Sequence, residues 1–159
     1  MNALASCASP HFMLRASREV ARVMEFSGGD NRRILFVEDE ADCRVAFRVI
    51  FQQPAMAGFK VDFADSVNEA MALIVCNVYD LAILDYQIYG ETADKLVAQW
   101  RECGYHLPFL VISGRTHIVQ KMQDLGSSGF LEKLRATDPN LLKAALCRAI
   151  DGYWSEQCR

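Results

Sequence analysis

The 159-residue chain lacks several features that mark common classes of protein. No run approaches about 18 apolar residues, which excludes a transmembrane helix. The chain has no block rich in lysine and arginine, and its formal net charge is −3, so we expect no nucleic-acid binding through a broad basic surface. No charged start followed by a long apolar core marks a secretory signal. These absences lead us to expect a cytoplasmic protein.

Metal-binding cysteine motifs and nucleotide-binding glycine motifs are also absent. None of the six cysteines forms a Cys-x-x-Cys pair, and none lies at zinc-finger spacing from one of the three histidines. Scattered single cysteines are usually small buried residues in a reducing cytosol. Neither Gly-x-x-x-x-Gly-Lys nor Gly-x-Gly-x-x-Gly follows the first apolar run. A zinc site, a disulfide framework and a nucleotide site are therefore all disfavoured.

We interpret residues 1–30 as an N-terminal extension that ends in a Ser-Gly-Gly-Asp linker. Within residues 12–26, three arginines recur at helical spacing opposite three apolar residues: Arg15, Arg18 and Arg22 opposite Met13, Val20 and Met24. This spacing favours an amphipathic helix that docks a partner or lies on a membrane surface, although a loosely packed extension is simpler. An organelle transit peptide is a further alternative, against which Glu19 and Glu25 count. Met24 is also a candidate for the true start.

From residue 31 to about 155, short apolar strands alternate with helices five times. The predicted strands are 34–37, 59–63, 80–84, 108–112 and 130–131, and the predicted helices follow at 41–53, 67–76, 92–103, 116–125 and from 138 onward. Such alternation predicts one α/β domain, with a five-stranded parallel sheet and helices on both faces. Residues 156–159 are predicted to be a tail.

Several helix details follow from local patterns. In the first helix, Val45, Val49 and Ile50 are expected on the inner side. Ser66 and Glu69 have the spacing of a capping box at the start of the second helix. Asp138 precedes Pro139, which is typical of a cap residue followed by proline at the first helical position.

Polar residues follow the predicted strands at the point where each strand ends. The first strand delivers Glu38 and Asp39, the third Asp85, the fourth Ser113 and the fifth Lys133. In open α/β sheets, ligands bind outside the carboxyl ends of the strands. Three carboxylates close together repel one another, and a hard divalent cation such as Mg²⁺ relieves that repulsion. With a lysine and a hydroxyl available for phosphate, Asp85 is well placed to act as a nucleophile that forms an aspartyl phosphate.

Four motifs, in this order, resemble the receiver domain of two-component response regulators. They are "ILFVEDE" for the acidic pair, "DLAILDYQI" for the phospho-acceptor strand, "PFLVISGR" for the switch hydroxyl and "GFLEK" for the lysine. Each motif alone is weak, but together they cover nearly everything after residue 31. The resemblance implies a flavodoxin-like fold of the receiver type and a signalling module rather than an enzyme, apart from catalysis of its own phosphorylation and dephosphorylation.

The resemblance also implies a role for each site residue. Asp85 would accept a phosphoryl group from a histidine kinase or a histidine phosphotransfer protein. Mg²⁺ or Mn²⁺ would be held by Glu38, Asp39, Asp85 and the backbone carbonyl of Gln87. Ser113 and Lys133 would bind the phosphoryl group, and Phe130 would be the aromatic switch residue. We expect a stand-alone receiver that signals by protein contact through residues 116–125, 130–133 and the last helix, as a switch or as a relay.

The chain departs from the family pattern at two loops. Leu134 follows Lys133 where the family usually has proline, and a non-proline cis bond costs about 3 kcal/mol, so we expect a trans bond there. Residues 88–90 replace a common Met-Pro, so that loop is expected to have a different shape.

Two other functions are alternatives to an active receiver. A phosphorylation-independent scaffold would keep Asp85 and Lys133 only as a structural salt bridge, and this alternative stays open. A phosphatase of the haloacid-dehalogenase kind would need Asp-x-Asp, but Asp85-Tyr86-Gln87 lacks the second acid. That phosphatase is therefore disfavoured.

Overall fold

The computed structural model describes residues 31–157, and within them a parallel five-stranded sheet has the order β2-β1-β3-β4-β5. The strands are β1 (Arg32–Val37), β2 (Phe59–Ala64), β3 (Leu81–Asp85), β4 (Phe109–Ser113) and β5 (Gly129–Glu132). The predicted parallel α/β sheet is therefore confirmed. The helix expected over residues 12–26 lies outside the described residues.

A helix follows each of the five strands. The helices are α1 (Ala41–Phe51), α2 (Val67–Cys76), α3 (Ala93–Glu102), α4 (Val119–Asp124) and α5 (Pro139–Gln157). The single helix expected over 116–125 is instead a 3₁₀ turn, Thr116–Ile118, followed by the short α4. Between β3 and α3, a small antiparallel hairpin pairs Gln87–Ile88 with Glu91–Thr92.

The central strands are buried on both faces because helices cover both sides of the sheet. In β1, Leu35 and Val37 pack into the core beneath α2, α3 and α4. The intervening Ile34 and Phe36 pack into the second core beneath α1 and α5. A strand covered on both sides needs apolar residues in sequence rather than in alternation, which explains the continuous apolar runs.

The inner side of α1 differs in part from the prediction, because Ile50 is buried as expected but Val45 and Val49 are not. Val45 and Val49 are each 56% exposed, whereas Phe47, Ile50 and Phe51 are buried. The Phe47 ring meets the Phe36 ring edge-on, with centroids 4.7 Å apart. The aromatic stripe removes more apolar surface from water than the two valines would, so it determines which side of α1 faces the sheet.

Two predicted helix starts are confirmed, although only one of the two bonds of the predicted capping box at Ser66 forms. The Ser66 hydroxyl oxygen accepts a hydrogen bond from the Glu69 N–H. The Glu69 carboxylate accepts from the N–H of Asp65 rather than from that of the cap residue itself. At the start of α5, Asp138 Oδ1 accepts from the N–H groups of Asn140 and Leu141. These bonds satisfy donors that the first turn leaves free.

The strand register brings the carboxyl ends of four strands to one edge of the sheet. Val37 pairs with Leu84, so Glu38 follows β1 at the level of Asp85. Asp85 pairs with Ile112, and Ser113 pairs with Glu132, so Lys133 follows at the same edge. The polar residues expected to converge therefore do converge.

The described residues also show the configuration of the peptide bonds and the length and hydropathy of the helices. Between residues 31 and 157, every peptide bond is trans, including the bond between Lys133 and Leu134. Within the same range, no helix has both the length and the apolar character needed to cross a membrane.

Candidate functional site

Three carboxylates lie together at the carboxyl edge of the sheet. Glu38 and Asp39 follow β1, and Asp85 ends β3. One carboxylate oxygen from each lies within 4.8 Å of the other two. Glu38 is fully buried and Asp85 is mostly buried, whereas Asp39 is half-buried. Charges of like sign at this separation, largely removed from water, need a cation to coexist.

Lys133 supplies one positive charge to this cluster. Its Nζ lies 2.9 Å from Asp85 Oδ2 and 2.8 Å from Glu38 Oε2. Burial alone would lower the pKa of Lys133, but the hydrogen bonds to Asp85 and then Glu38 outweigh burial and raise the pKa above its ordinary value. The lysine is therefore charged at neutral pH, and it connects β5 to β1 and β3.

Glu38 is the most deeply buried member of the cluster. Its Oε1 accepts a hydrogen bond from the Glu40 N–H at 3.1 Å. Burial raises the pKa of this carboxyl, the hydrogen bond from Lys133 opposes that rise, and the neighbouring Asp85 charge adds to it. The net shift is upward, so the ionised form of Glu38 is costly without further positive charge.

Asp39 is oriented by the loop that follows β3. Its Oδ2 accepts a hydrogen bond from the Tyr89 N–H at 2.9 Å. Tyr89 and Gly90 form the turn of the small hairpin, with φ values of 46° and 74°. Positive φ at both central residues is typical of a type I′ turn. The loop expected to differ from the family pattern therefore places a backbone donor against the acidic pair.

Ser113 and Phe130 occupy the fourth and fifth strands. Ser113 is buried, and its Oγ accepts a hydrogen bond from the Arg115 N–H at 3.1 Å. Phe130 pairs with Val111 in the sheet and packs, half-buried, against the core beneath α2, α3 and α4. Gln87 lies two residues past Asp85 with an exposed side chain. The metal role of its backbone carbonyl stays a prediction.

A second polar cluster, which the sequence did not indicate, adjoins the site. The Lys121 ammonium on α4 donates to the Tyr86 hydroxyl at 3.2 Å and lies 3.1 Å from Asp94 Oδ2 on α3. Hydrogen bonds to Tyr86 and then to Asp94 raise the pKa of Lys121. Burial opposes ionisation of Asp94, but hydrogen bonds from Thr92 and Lys121 outweigh it and lower the Asp94 pKa. This cluster connects α4 to the residue that follows Asp85.

The donor set of the acidic cluster fits a hard divalent cation. All the available ligand atoms of Glu38, Asp39 and Asp85 are carboxylate oxygens, and oxygen ligands are those that Mg²⁺ and Mn²⁺ prefer. Three carboxylates against the single ammonium of Lys133 leave a net charge of −2 at the site. A bound divalent cation would balance that excess.

Comparison with known proteins gives the class that this fold and site define. The family model of the response regulator receiver domain matches residues 34–146. Because the match covers most of the chain, the protein belongs to the response regulator receiver family, whose members are signalling modules of two-component systems.

Curated relatives agree with this assignment over part of their length. The transcriptional regulatory protein PhoP of Escherichia coli is 33% identical over 95 residues, which cover 60% of this chain and 41% of PhoP. The virulence transcriptional regulatory protein PhoP of Salmonella typhi gives the same values. The chain thus spans about two fifths of the length of these relatives.

Solved structures show the same fold. The response regulator TrrA from Thermotoga maritima, in complex with Mg²⁺ and BeF, has a TM-score of 0.62 at 22% identity and covers 74% of this chain and 98% of its own. A sensor protein from Polaromonas has a TM-score of 0.64 at 26% identity, with 76% and 97% covered. The flavodoxin-like receiver fold expected from the sequence is therefore confirmed.

Proposed function

We propose that Asp85 accepts a phosphoryl group from a phosphohistidine, in a reaction that depends on Mg²⁺ or Mn²⁺, and that the phosphorylated protein signals by contact with a partner. One observation carries this proposal: the Asp85 carboxylate lies 2.9 Å from Lys133 and beside two further acids at the carboxyl edge of the sheet. The Asp85 nucleophile, the Lys133 ammonium and the carboxylates available to a metal thereby lie together at one edge of the sheet.

Each residue has a defined part in this reaction. Glu38, Asp39, Asp85 and the carbonyl of Gln87 would hold the cation, which supplies positive charge to the phosphoryl oxygens. An Asp85 carboxylate oxygen forms the new bond to phosphorus, and the phosphorus–nitrogen bond of the donor histidine breaks. The imidazole leaves with the electron pair of the broken phosphorus–nitrogen bond, and its ring nitrogen is protonated. Lys133 then pairs with one phosphoryl oxygen, and the Ser113 hydroxyl donates a hydrogen bond to another.

The output would arise from two residues behind the site. Ser113 would move towards the phosphoryl group, and Phe130 would turn inward behind it. Half-burial of Phe130 against the core leaves it accessible to such a change. The affected surface comprises residues 116–125, 130–133 and α5. The phosphoryl group shifts this surface only to the extent that it binds one conformation better than the other. The output is either a switch or transfer to another histidine.

The donor would be a histidine kinase or a histidine phosphotransfer protein. Leu134, which follows Lys133, and Val45 and Val49 on the exposed side of α1 are apolar residues that would be available to contact it. The four cysteines described, Cys43, Cys76, Cys103 and Cys147, are free thiols, which supports a reducing cytoplasmic location. The net charge of −3 supports protein contact, rather than nucleic-acid binding, as the output of this domain.

Phosphorylation by acetyl phosphate tests the proposal directly. The wild-type chain is incubated with acetyl phosphate and Mg²⁺, and uptake is read by intact mass. We expect one phosphoryl group on the wild type, none on Asp85→Asn and none when EDTA removes the metal. Asp42→Asn serves as the matched control, because Asp42 is an exposed acid in the first turn of α1, and it should be phosphorylated normally.

The opposite result would identify the scaffold alternative. If the wild type takes up no phosphoryl group and calorimetry detects no Mg²⁺ binding, the switch is excluded and Asp85 and Lys133 form only a structural ion pair. Uptake that persists in Asp85→Asn would place the modification on another residue and contradict the assignment of Asp85.

A further inference from the structure

Arg44 reaches back from α1 to the turn that carries the acidic pair. Its Nη1 donates hydrogen bonds to the backbone carbonyls of Glu38, at 2.8 Å, and Asp39, at 2.7 Å. The side chain is half-buried between the helix and the site edge. One guanidinium nitrogen thus holds two successive carbonyls of the turn from β1 into α1.

Three other backbone N–H groups in and beside this turn also donate hydrogen bonds. The Glu38 N–H donates to the Ala64 carbonyl at 3.0 Å, and the Glu40 N–H donates to Glu38 Oε1 at 3.1 Å. The Arg44 N–H donates to the Glu40 carbonyl at 3.0 Å. Arg44 therefore binds the turn through both its main chain and its side chain. Without the guanidinium, two half-buried carbonyls lose their partner.

Asp39 is held at two points. Arg44 binds its carbonyl, and the Tyr89 N–H binds its carboxylate at 2.9 Å. Fixing the main-chain carbonyl and one carboxylate oxygen of Asp39 restricts where its other carboxylate oxygen can point. Groups that orient metal ligands in this way typically change metal affinity by about 10- to 100-fold when they are mutated.

We propose that Arg44 is a positioning residue for the cation site, in that its bonds to the Glu38 and Asp39 carbonyls hold the two carboxylates in their metal-binding arrangement. This inference rests on the proposed function, because it requires that the site bind a divalent cation. The charge of Arg44 works in the opposite direction, since a cation near the site repels Mg²⁺. Loss of Arg44 therefore weakens Mg²⁺ binding if positioning dominates and strengthens it if charge dominates.

The test compares Arg44→Met with Arg48→Met in the full chain. Arg48 lies one turn further along α1, with its guanidinium 4.9 Å from the Phe63 ring centroid, so its replacement removes the same charge from the same helix without touching the turn. The Mg²⁺ dissociation constant is measured by titration calorimetry, and the metal-free melting temperature is measured in EDTA. We expect Arg44→Met to bind Mg²⁺ about tenfold more weakly, and Arg48→Met to bind it as the wild type does.

A charge-conserving variant keeps the test decisive if Arg44→Met does not fold. Arg44→Lys keeps the positive charge, but on one nitrogen at the end of a shorter side chain. We therefore expect the Mg²⁺ affinity of Arg44→Lys to lie between those of the wild type and Arg44→Met. Wild-type or tighter Mg²⁺ binding by Arg44→Met, or by Arg44→Lys where the first variant cannot be studied, would overturn the inference. Equal weakening by Arg48→Met would do the same. Absence of Mg²⁺ binding by the wild type would instead overturn the proposed function.

Discussion

At the scale of single residues, the ion pairs that Lys133 forms with Glu38 and Asp85 determine the electrostatics of the site. Glu38 is fully buried, and its pKa is raised mainly by that burial, yet its carboxylate contacts the Lys133 ammonium at 2.8 Å. An isolated charge in such a position is strongly disfavoured, whereas a paired one is tolerated. Lys133 is thus the ammonium group that pairs with both acids at this edge of the sheet.

Replacement of Lys133 separates this structural role from competition with the metal. We expect Lys133→Met to lose about 3 kcal/mol of unfolding free energy in EDTA, because two buried acids lose their only described ammonium partner. Saturating Mg²⁺ should then stabilise this variant more than the wild type, since the proposed metal would contact the same carboxylates as Lys133. Urea unfolding followed by circular dichroism, with and without Mg²⁺, measures both effects.

The matched control for this prediction is Lys60→Met, at an exposed position on the edge strand β2. It should change stability little and should respond to Mg²⁺ as the wild type does. Wild-type stability of Lys133→Met in EDTA, or a smaller gain from Mg²⁺ than the wild type shows, would contradict the account of Lys133 given above.

At the scale of elements, the sequence indicated the strands better than the faces of the helices. An apolar run that ends at a polar residue marks a buried parallel strand, and this is why Glu38, Asp85, Ser113 and Lys133 could be placed at one edge. In α1, the prediction placed Val45 and Val49 beside Ile50 on the inner side, whereas Phe47 and Phe51 lie there with it. Only packing against Phe36 decides between them, and spacing along the sequence does not contain that information.

The sequence does not predict the contacts that orient the site residues, and the reason here is different. Arg44 binds two backbone carbonyls, and Asp39 accepts from the backbone N–H of Tyr89. Backbone groups occur at every residue, so no pattern of side chains reveals which of them will be bonded. The contact of Lys121 with Tyr86 joins residues 35 positions apart, and it follows from the tertiary fold alone.

We expect the position of the short helix α4 to depend on that contact. It has only six residues, and a helix of this length is not stable by itself, so tertiary contacts determine its position. We expect Lys121→Met and Tyr86→Phe each to increase backbone amide exchange in residues 119–124. The double variant should exchange no faster than Lys121→Met, because Lys121→Met already removes the hydrogen bond that Tyr86→Phe removes, together with the ion pair to Asp94. Hydrogen-exchange mass spectrometry of the α4 peptide measures this.

Lys95→Met is the control for the α4 experiment, because Lys95 is an exposed lysine on the neighbouring α3. It should leave exchange in α4 unchanged. If the free-energy changes derived from exchange in the two single variants add up in the double variant, Lys121 and Tyr86 act independently, contrary to the cluster described here.

At the scale of the whole molecule, the sheet places the acceptor site and the expected output surface side by side. β4 and β5 carry Ser113 and Lys133 into the site, while α4, β5 and α5 form the surface that we expect to signal. Lys121 reaches Tyr86, the residue that follows Asp85, so a change at the acceptor has a short physical route to α4. On the opposite side, Asp62 of β2 bonds Arg33 and Tyr79, but none of the side-chain bonds described there reaches Asp85 or Tyr86.

Beryllofluoride, a stable mimic of the phosphoryl group, tests whether this route is used. With Mg²⁺ present, we expect it to change amide exchange in residues 116–125 and 130–133 and in α5, while residues 67–76 of α2 stay as they were. The Asp85→Asn variant should show no change, because it lacks the acceptor carboxylate. If beryllofluoride binds and protects only the loops that contain Glu38 and Asp85, the charge added at the acceptor does not reach α4. The output surface would then have to be sought near the exposed side of α1, where Val45 and Val49 face solvent.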